Sequence, residues 1–227
     1  MADNIRIFIG YDPREAAAYN VLCHSINARA SAPVSIMPLA LSQLGELMWR
    51  DRHDLQSTDF SFSRFLTPYL CDFEGWALFM DCDMLVLDDM ANLWKLRDDQ
   101  YALQCVKHDH KPPETTKFLN QPQTKYEKKN WSSVMLFNCA KCSSLTPEYV
   151  NTATGLELHR FHWLGDDSMI GELPHRWNHL VDYDPEVPED ELSNLHYTTG
   201  GPYFEDYKDC GYADLWRKER ERMLYAG

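Results

Sequence analysis

Asp81 and Asp83 stand two residues apart within Trp-Ala-Leu-Phe-Met-Asp-Cys-Asp-Met-Leu-Val-Leu, residues 76–87, an otherwise apolar run. An ionised carboxylate is very costly to bury unless something cationic meets it. The flanking residues predict a strand covered on both faces, the kind found inside a parallel sheet, and ligands bind at the ends of such strands. On a regular strand two residues spaced in this way point to opposite faces. Where the strand ends, the backbone can turn and let both carboxylates reach one ion. Hard oxygen ligands suit Mg2+ or Mn2+, which commonly keep open positions for substrate phosphates. The pair therefore predicts a divalent metal at the exit of a buried strand. The alternative is that both aspartates merely cap the strand end.

The elements that must carry this pair follow from pattern and punctuation. Residues 5–9 form a short apolar strand that ends at Gly10-Tyr11-Asp12-Pro13, residues 15–30 have helical periodicity, and 34–37 read as a second strand. The chain thus opens β-α-β, the start of a nucleotide-binding α/β layer. Residues 42–62 have no clear period, and Ser63 can cap a short helix through residue 70. After the aspartates, Asp88 or Asp89 can cap a helix over 90–96. Strands are predicted over 101–106 and 133–137, and Thr146-Pro147-Glu148 starts a helix well. A short helix over 166–172, short strands at 179–181 and 195–197, and a charged C-terminal helix from 209 complete the reading. The stretch 107–130 is polar, carries six lysines and has no period, which reads as either a functional loop or a mobile stretch. No linker divides the chain, so residues 1–227 are expected to form a single α/β domain.

The formal net charge of −13 argues against nucleic acid as a partner, because such binding rests on phosphate neutralisation by Lys and Arg. No apolar run is long enough to span a bilayer. The opening Met1-Ala2-Asp3-Asn4-Ile5 lacks the basic and apolar regions of a signal peptide. Seven scattered cysteines predict reduced thiols in a cytoplasmic protein, and the lone Cys139-x-x-Cys142 lacks the second pair a zinc site would want.

Other residues could complete a site. His196, followed by Gly200-Gly201, could add an imidazole to the metal while the glycines let backbone approach a phosphate. Tyr11 and Asp12 follow the first strand, where a base and ribose often rest; an ordinary turn is the alternative. Arg64 could offset phosphate or carboxylate charge, or sit on a solvated helix face. Asn130-Trp131-Ser132-Ser133 offers polar groups and an aromatic face suited to a sugar, or a packed strand entry. Of Asp166 and Asp167, one could cap a helix and the other could orient or deprotonate an acceptor hydroxyl. Trp177-Asn178 reads as core packing with a buried amide.

In order along the chain, Tyr11-Asp12, Arg64, Asp81-x-Asp83, Ser132-Ser133-Val134-Met135-Leu136-Phe137-Asn138, Asp166-Asp167, Trp177-Asn178 and His196 with Gly200-Gly201 resemble the motifs of GT-A fold nucleotide-sugar glycosyltransferases. The match is to the family-eight group that includes glycogenin and lipopolysaccharide galactosyltransferases, and it spans nearly the whole chain. The resemblance implies a GT-A-like (Rossmann-like) domain with a mixed, mainly parallel central sheet flanked by helices. It implies transfer of a sugar from a nucleoside-diphosphate sugar, with a UDP-sugar the expected donor, to a glycan or other hydroxyl acceptor. Mn2+ or Mg2+ would be held by Asp81, Asp83 and His196. Tyr11 and Asp12 would hold the nucleoside, Asp166 or Asp167 would face the reacting groups, and the lysine-bearing loop could close over the donor. Two departures stand out. The group has Lys-Pro-Trp after the late glycine, where this chain reads Gly201-Pro202-Tyr203-Phe204, and Asp166 replaces an amide near the reacting sugar. Two other readings compete. Haloacid-dehalogenase-type phosphatases also carry Asp-x-Asp after an apolar strand, but expect Thr or Val where Leu85 stands. A non-catalytic glycan-binding module would use Trp131 or Trp163.

Overall fold

Strand β1 (Ile5–Gly10) is buried along almost its whole length and leads through one 3-10 turn into helix α1 (Ala16–Arg29). The buried residues of α1 are Ala18, Val21, Leu22, Ser25 and Ile26, the spacing of a single helix face. That face packs under the sheet, and the chain returns as β2 (Val34–Leu39), parallel to β1 with Ile5 opposite Val34. The predicted β-α-β opening is therefore present in the computed structural model, which describes residues 4–52, 56–109, 116–117, 121–122 and 127–225.

Past α2 (Leu41–Leu44), β3 (Trp76–Met80) enters the middle of the sheet, parallel to β1. The chain then leaves this sheet. β4 (Met84–Val86) belongs to a second sheet, and α3 (Met90–Trp94) follows, capped by the Asp89 side chain on the Ala91 N–H. β5 (Leu103–Cys105) rejoins the main sheet. A two-stranded ribbon of β6 (Thr116–Lys117) and β7 (Gln121–Pro122) follows. The rest of the predicted loop, residues 110–115, 118–120 and 123–126, lies outside the described residues. β8 (Val134–Asn138) lies between β3 and β5 and runs against both. Helices α4 (Pro147–Thr152) and α5 (Gly155–His159) precede β9 (Ile170–Glu172), which pairs parallel with β5. The main sheet has the order β2-β1-β3-β8-β5-β9, with β8 the one strand reversed. This is the mixed, mainly parallel sheet flanked by helices that was expected.

The second sheet has the order β10-β11-β4, with β10 (His179–Leu180) and β11 (Asn194–His196) parallel to each other. Helix α6 (Ala213–Leu224) closes the chain against α1, where buried Glu219 meets Arg29 at 2.8 Å and His24 at 2.8 Å. All seven cysteines are free thiols. Among the described residues no helix is long and apolar enough to cross a membrane.

Two local expectations are corrected. The segment 166–172 is not a helix: it makes one 3-10 turn, Asp167–Met169, and then the edge strand β9. Pairing with β5 decides this, and Gly171 fits because a side chain there would meet Gln104 Cγ at 2.8 Å. The segment 63–70 breaks into two 3-10 turns, Ser63–Leu66 and Tyr69–Cys71, and Ser63 caps neither. Pro68 lies between them and has no N–H to continue a helix.

Candidate active site

Residues 81–83 span the step from one sheet to the other, because β3 ends at Met80 and β4 begins at Met84. Freed from strand alternation, the two carboxylates turn toward the same place. One ligand atom each from Asp81, Asp83 and His196 lies within 4.8 Å of the other two. His196 comes from 113 positions past Asp83, and the antiparallel pairing of β11 with β4 delivers it. Met84 stands opposite His196, and the Tyr197 N–H donates to the Asp83 carbonyl at 2.8 Å. All three side chains are largely buried.

The imidazole is held in one sense. Ser133 Oγ donates to the Asn130 carbonyl at 2.6 Å, so it accepts from Asn178 Nδ2 at 2.8 Å. The Asn178 Oδ1 then accepts the hydrogen bond from His196 Nδ1–H at 3.0 Å. In the neutral ring, Nε2 therefore presents a lone pair toward Asp83 Oδ1, 3.4 Å away. A lone pair facing a carboxylate is repulsive by itself and attractive around a shared cation. Two carboxylates and one neutral imidazole, with the second nitrogen of the ring fixed by an amide, fit a divalent cation.

Arg64 braces the other side. Its guanidinium contacts Asp81 Oδ1 at 2.7 Å, donates to the Ser132 carbonyl at 2.8 Å and lies over the Phe60 and Phe79 rings. Arg64 is buried and sits in a 3-10 turn, so the alternative of a solvated helix face does not apply. The segment 130–133 is the scaffold of this cluster. The Ser133 carbonyl accepts the Asp81 N–H at 2.9 Å, Ser132 Oγ lies 2.8 Å from His159 Nδ1, and Trp131 Nε1 donates to the His108 carbonyl at 2.8 Å. Asn130 adopts a left-handed conformation (φ 65°) that aims its carbonyl at Ser133 and Asn178.

Tyr11 is half-buried at the exit of β1, edge-on to Tyr19. Asp12 is fully buried, and its carboxylate accepts from the Arg14 N–H and guanidinium and from the Asp59 N–H at 3.1 Å. Burial raises its pKa, but the bonds from Arg14 and Asp59 outweigh this and leave it below the ordinary carboxylate value. Gly200 (φ 152°) and Gly201 follow β11, and aromatic rings take the space their side chains would need. A Cβ on Gly200 would meet Tyr207 at 2.6 Å, and one on Gly201 would strike Tyr203. Tyr203 turns inward and donates to Glu15 Oε1 at 3.1 Å. Asp166 and Asp167 lie on the exposed turn before β9. Asp166 Oδ1 accepts the Ser168 N–H at 2.8 Å, which lowers its pKa, and Asp167 pairs with Lys128 at 2.5 Å.

Two participants were not legible as such. Asn178 was read as packing, yet it orients His196. His159 carried no motif, yet it lies against Ser132 beside Arg64, and burial, then the Arg64 charge, hold its pKa well below the ordinary value. A polar residue between Trp177 and a short strand was the available signal for the first; nothing local marks the second.

A six-stranded sheet with one reversed strand, an Asp-x-Asp step at the end of its third strand and a late histidine from a small second sheet together define the GT-A glycosyltransferase fold. Solved structures agree. The chain is similar to the glycosyltransferase GlyE of Streptococcus pneumoniae TIGR4, in its apo form, with a TM-score of 0.62 and 15% identity, over 96% of this chain and 60% of that one. It is also similar to the galactosyltransferase LgtC in complex with donor and acceptor sugar analogs, with a TM-score of 0.61 and 13% identity, over 97% of each chain. At such identities the likeness is one of fold. The haloacid-dehalogenase reading loses its framework, because there the aspartates close the first strand of the domain and here they follow the third. No family model matches the chain. Protein CDI of Arabidopsis thaliana is 52% identical over 223 residues, covering 95% of this chain and 86% of that protein, and the chain belongs to its family.

Proposed function

We propose that this protein is a metal-dependent glycosyltransferase that moves a hexose from a UDP-sugar to a hydroxyl acceptor, on one domain formed by residues 1–227. The observation that carries the reading is the convergence of Asp81, Asp83 and His196 on one point of a GT-A fold. A divalent ion, manganese or magnesium, would be held there by Asp81, Asp83 and His196 and would stabilise the charge that grows on the leaving nucleotide. Arg64 balances the charge of Asp81 and fixes its direction, and Asn178 does the same for the ring of His196. Tyr11 supplies a face for the base, while Asp12 holds Arg14 and residues 57–59 beside it. Gly200 and Gly201 carry the backbone past the diphosphate. Asn130, Trp131, Ser132 and Ser133 line the sugar side through their backbone and the Trp131 ring. Asp166 or Asp167 faces the acceptor hydroxyl, with Lys128 steadying Asp167 until substrate arrives. The free thiols favour a reducing compartment such as the cytoplasm.

The test is thermal. A ligand bound only by the native state at about 100 times its Kd adds about 2.7 kcal/mol, which for a domain of this size raises Tm by roughly 5–11 °C. MnCl2 with UDP should produce such a shift, each alone a smaller one, and Asp83→Ala should abolish it. A panel of UDP-sugars assayed for UDP release would then identify the donor. A protein whose Tm ignores saturating Mn2+ and UDP together would refute the donor site.

A further inference from the structure

We propose that His108, His175 and Asp184 form a second cation site, apart from the Asp81–Asp83–His196 cluster, and that it takes a borderline transition ion such as zinc.

Strand register builds the site. β5 and β9 are parallel, with Cys105 opposite Glu172, and the Leu173 N–H extends the ladder to the Cys105 carbonyl at 2.9 Å. His108 and His175 each lie three residues beyond that last pair, so the two imidazoles emerge together past the end of the sheet. Their centroids are 5.2 Å apart with the rings at 76°. Asp184 comes from the turn after β10, where its Oδ2 accepts the Leu180 N–H at 2.6 Å and stands 3.3 Å from His175 Nε2. One ligand atom from each of the three residues lies within 4.8 Å of the others.

The donor set decides the ion. Two imidazoles and one carboxylate suit zinc far better than magnesium, which prefers oxygen. Tetrahedral ligands with bonds of about 2.0–2.1 Å stand about 3.3–3.4 Å apart, which is already the separation of His175 Nε2 from Asp184 Oδ2. A third imidazole is next to the group. His179 is 3% exposed, its ring is edge-on to His175 at 6.1 Å, and its Nε2 has no hydrogen-bond partner among the described residues. A buried ring nitrogen left unsatisfied is uncommon, and an ion nearby is one of the few things that accounts for it. The bound ion would tie the ends of β5 and β9 to the β10 turn. It would also fix the turn His175–Trp177, whose next residue is Asn178, with its N–H on the His175 carbonyl at 3.0 Å.

The experiment is zinc titration of the full-length protein, stripped with chelator and kept in millimolar MgCl2 so that the oxygen-rich cluster is occupied. Wild type should bind zinc at micromolar concentration or below, and cobalt in its place should give the strong visible absorption of a four-coordinate ion. His175→Ala and Asp184→Asn should each weaken zinc by more than the roughly 10–100-fold that loss of an outer partner costs, and should erase the cobalt spectrum. Both residues are on turns, and His175→Gln gives a milder variant should alanine impair folding. Asp83→Ala should leave zinc binding in place, which separates this site from the donor site. Zinc affinity that is absent in wild type, unchanged in His175→Ala and Asp184→Asn, or lost in Asp83→Ala alone would overturn the proposal.

Discussion

Arg64→Leu removes the guanidinium in contact with Asp81 while leaving a side chain of useful size between Phe60 and Phe79. Removing one partner of a buried ion pair costs about 3–5 kcal/mol, because the other charge stays buried without compensation. For a domain of this size that lowers Tm by roughly 6–20 °C. The loss has two parts. The bonds of the guanidinium to the Ser132 and Phe60 carbonyls and its stacking on the rings disappear whatever else is present. The charge on Asp81 can be answered by another cation. A hydrogen bond to a charged group is worth about 1.5–3 kcal/mol, and this is the part that Mn2+ should restore. Differential scanning fluorimetry of wild type and variant, each with and without saturating Mn2+, isolates it as a coupling energy. The Mn2+-induced rise in Tm should be larger in Arg64→Leu than in wild type by roughly 3–12 °C. An equal or smaller rise would mean that Asp81 does not face the ion, and the reasoning that joins Arg64, Asp81 and the metal would fail.

Three further outcomes follow from the same geometry. Asn178→Ala removes the acceptor that fixes His196 Nδ1, so Mn2+ affinity should fall about 10–100-fold by isothermal titration; an unchanged affinity in a folded variant would contradict the tautomer argument. Glu219→Gln should cost about 1.5–3 kcal/mol in urea unfolding at neutral pH, since the carboxylate between α1 and α6 accepts from Arg29 and His24. Burial raises the Glu219 pKa, but Arg29 and His24 outweigh it, so the folded value lies below the ordinary 4.5. Its contribution is then full above that value and disappears as pH falls through the folded one, so wild type and variant should converge in acid but not at pH 7. Gly200→Ala forces a side chain onto the Tyr207 ring at a φ that L residues rarely adopt; Tm should drop, and UDP with Mn2+ should shift it less than in wild type.

What the sequence made legible tracks how local each determinant is. The β-α-β opening was readable because an apolar strand, a one-face helix and a second strand each declare themselves within a few residues. Asp81 and Asp83 were readable because charge inside an apolar run demands an explanation wherever the chain goes next. The strand at 170–172 was misread as helix because three residues carry no usable period, and only their pairing with β5 defines them. Arg64, Ser132 and Ser133 stood out as candidate site residues, but the contacts by which they brace the aspartates were not readable, for the same reason. Ser132, Ser133, Asn178 and His159 matter through contacts across 18 to 68 positions of sequence, and no window along the chain contains both partners.

The same distinction explains why the candidate metal centre lies where it does. A strand inside a covered sheet has every backbone group paired and each face committed to packing, so it cannot turn two neighbouring carboxylates to one side. β3 ends against β8 through the Asp81 N–H and the Ser133 carbonyl, and β4 starts in another sheet against β11. Residues 81–83 are the only part of this path that is bound to both sheets without being a regular strand of either. His196 is fixed by β11, Asp83 by the Tyr197 N–H on its carbonyl, and Asp81 by its own N–H and by Arg64. Asp83 and His196 are thus anchored on the β4–β11 pairing and Asp81 at the end of the β3–β8 pairing, so the geometry of the cluster is set by how the two sheets meet. Substitutions at that joint, at residues that are not themselves ligands, should therefore disturb ion binding more than equally destabilising ones in α6. Comparing Met84→Ala with Trp216→Ala, both buried, at matched loss of stability would decide it: equal Mn2+ affinity in the two would refute the dependence on the joint.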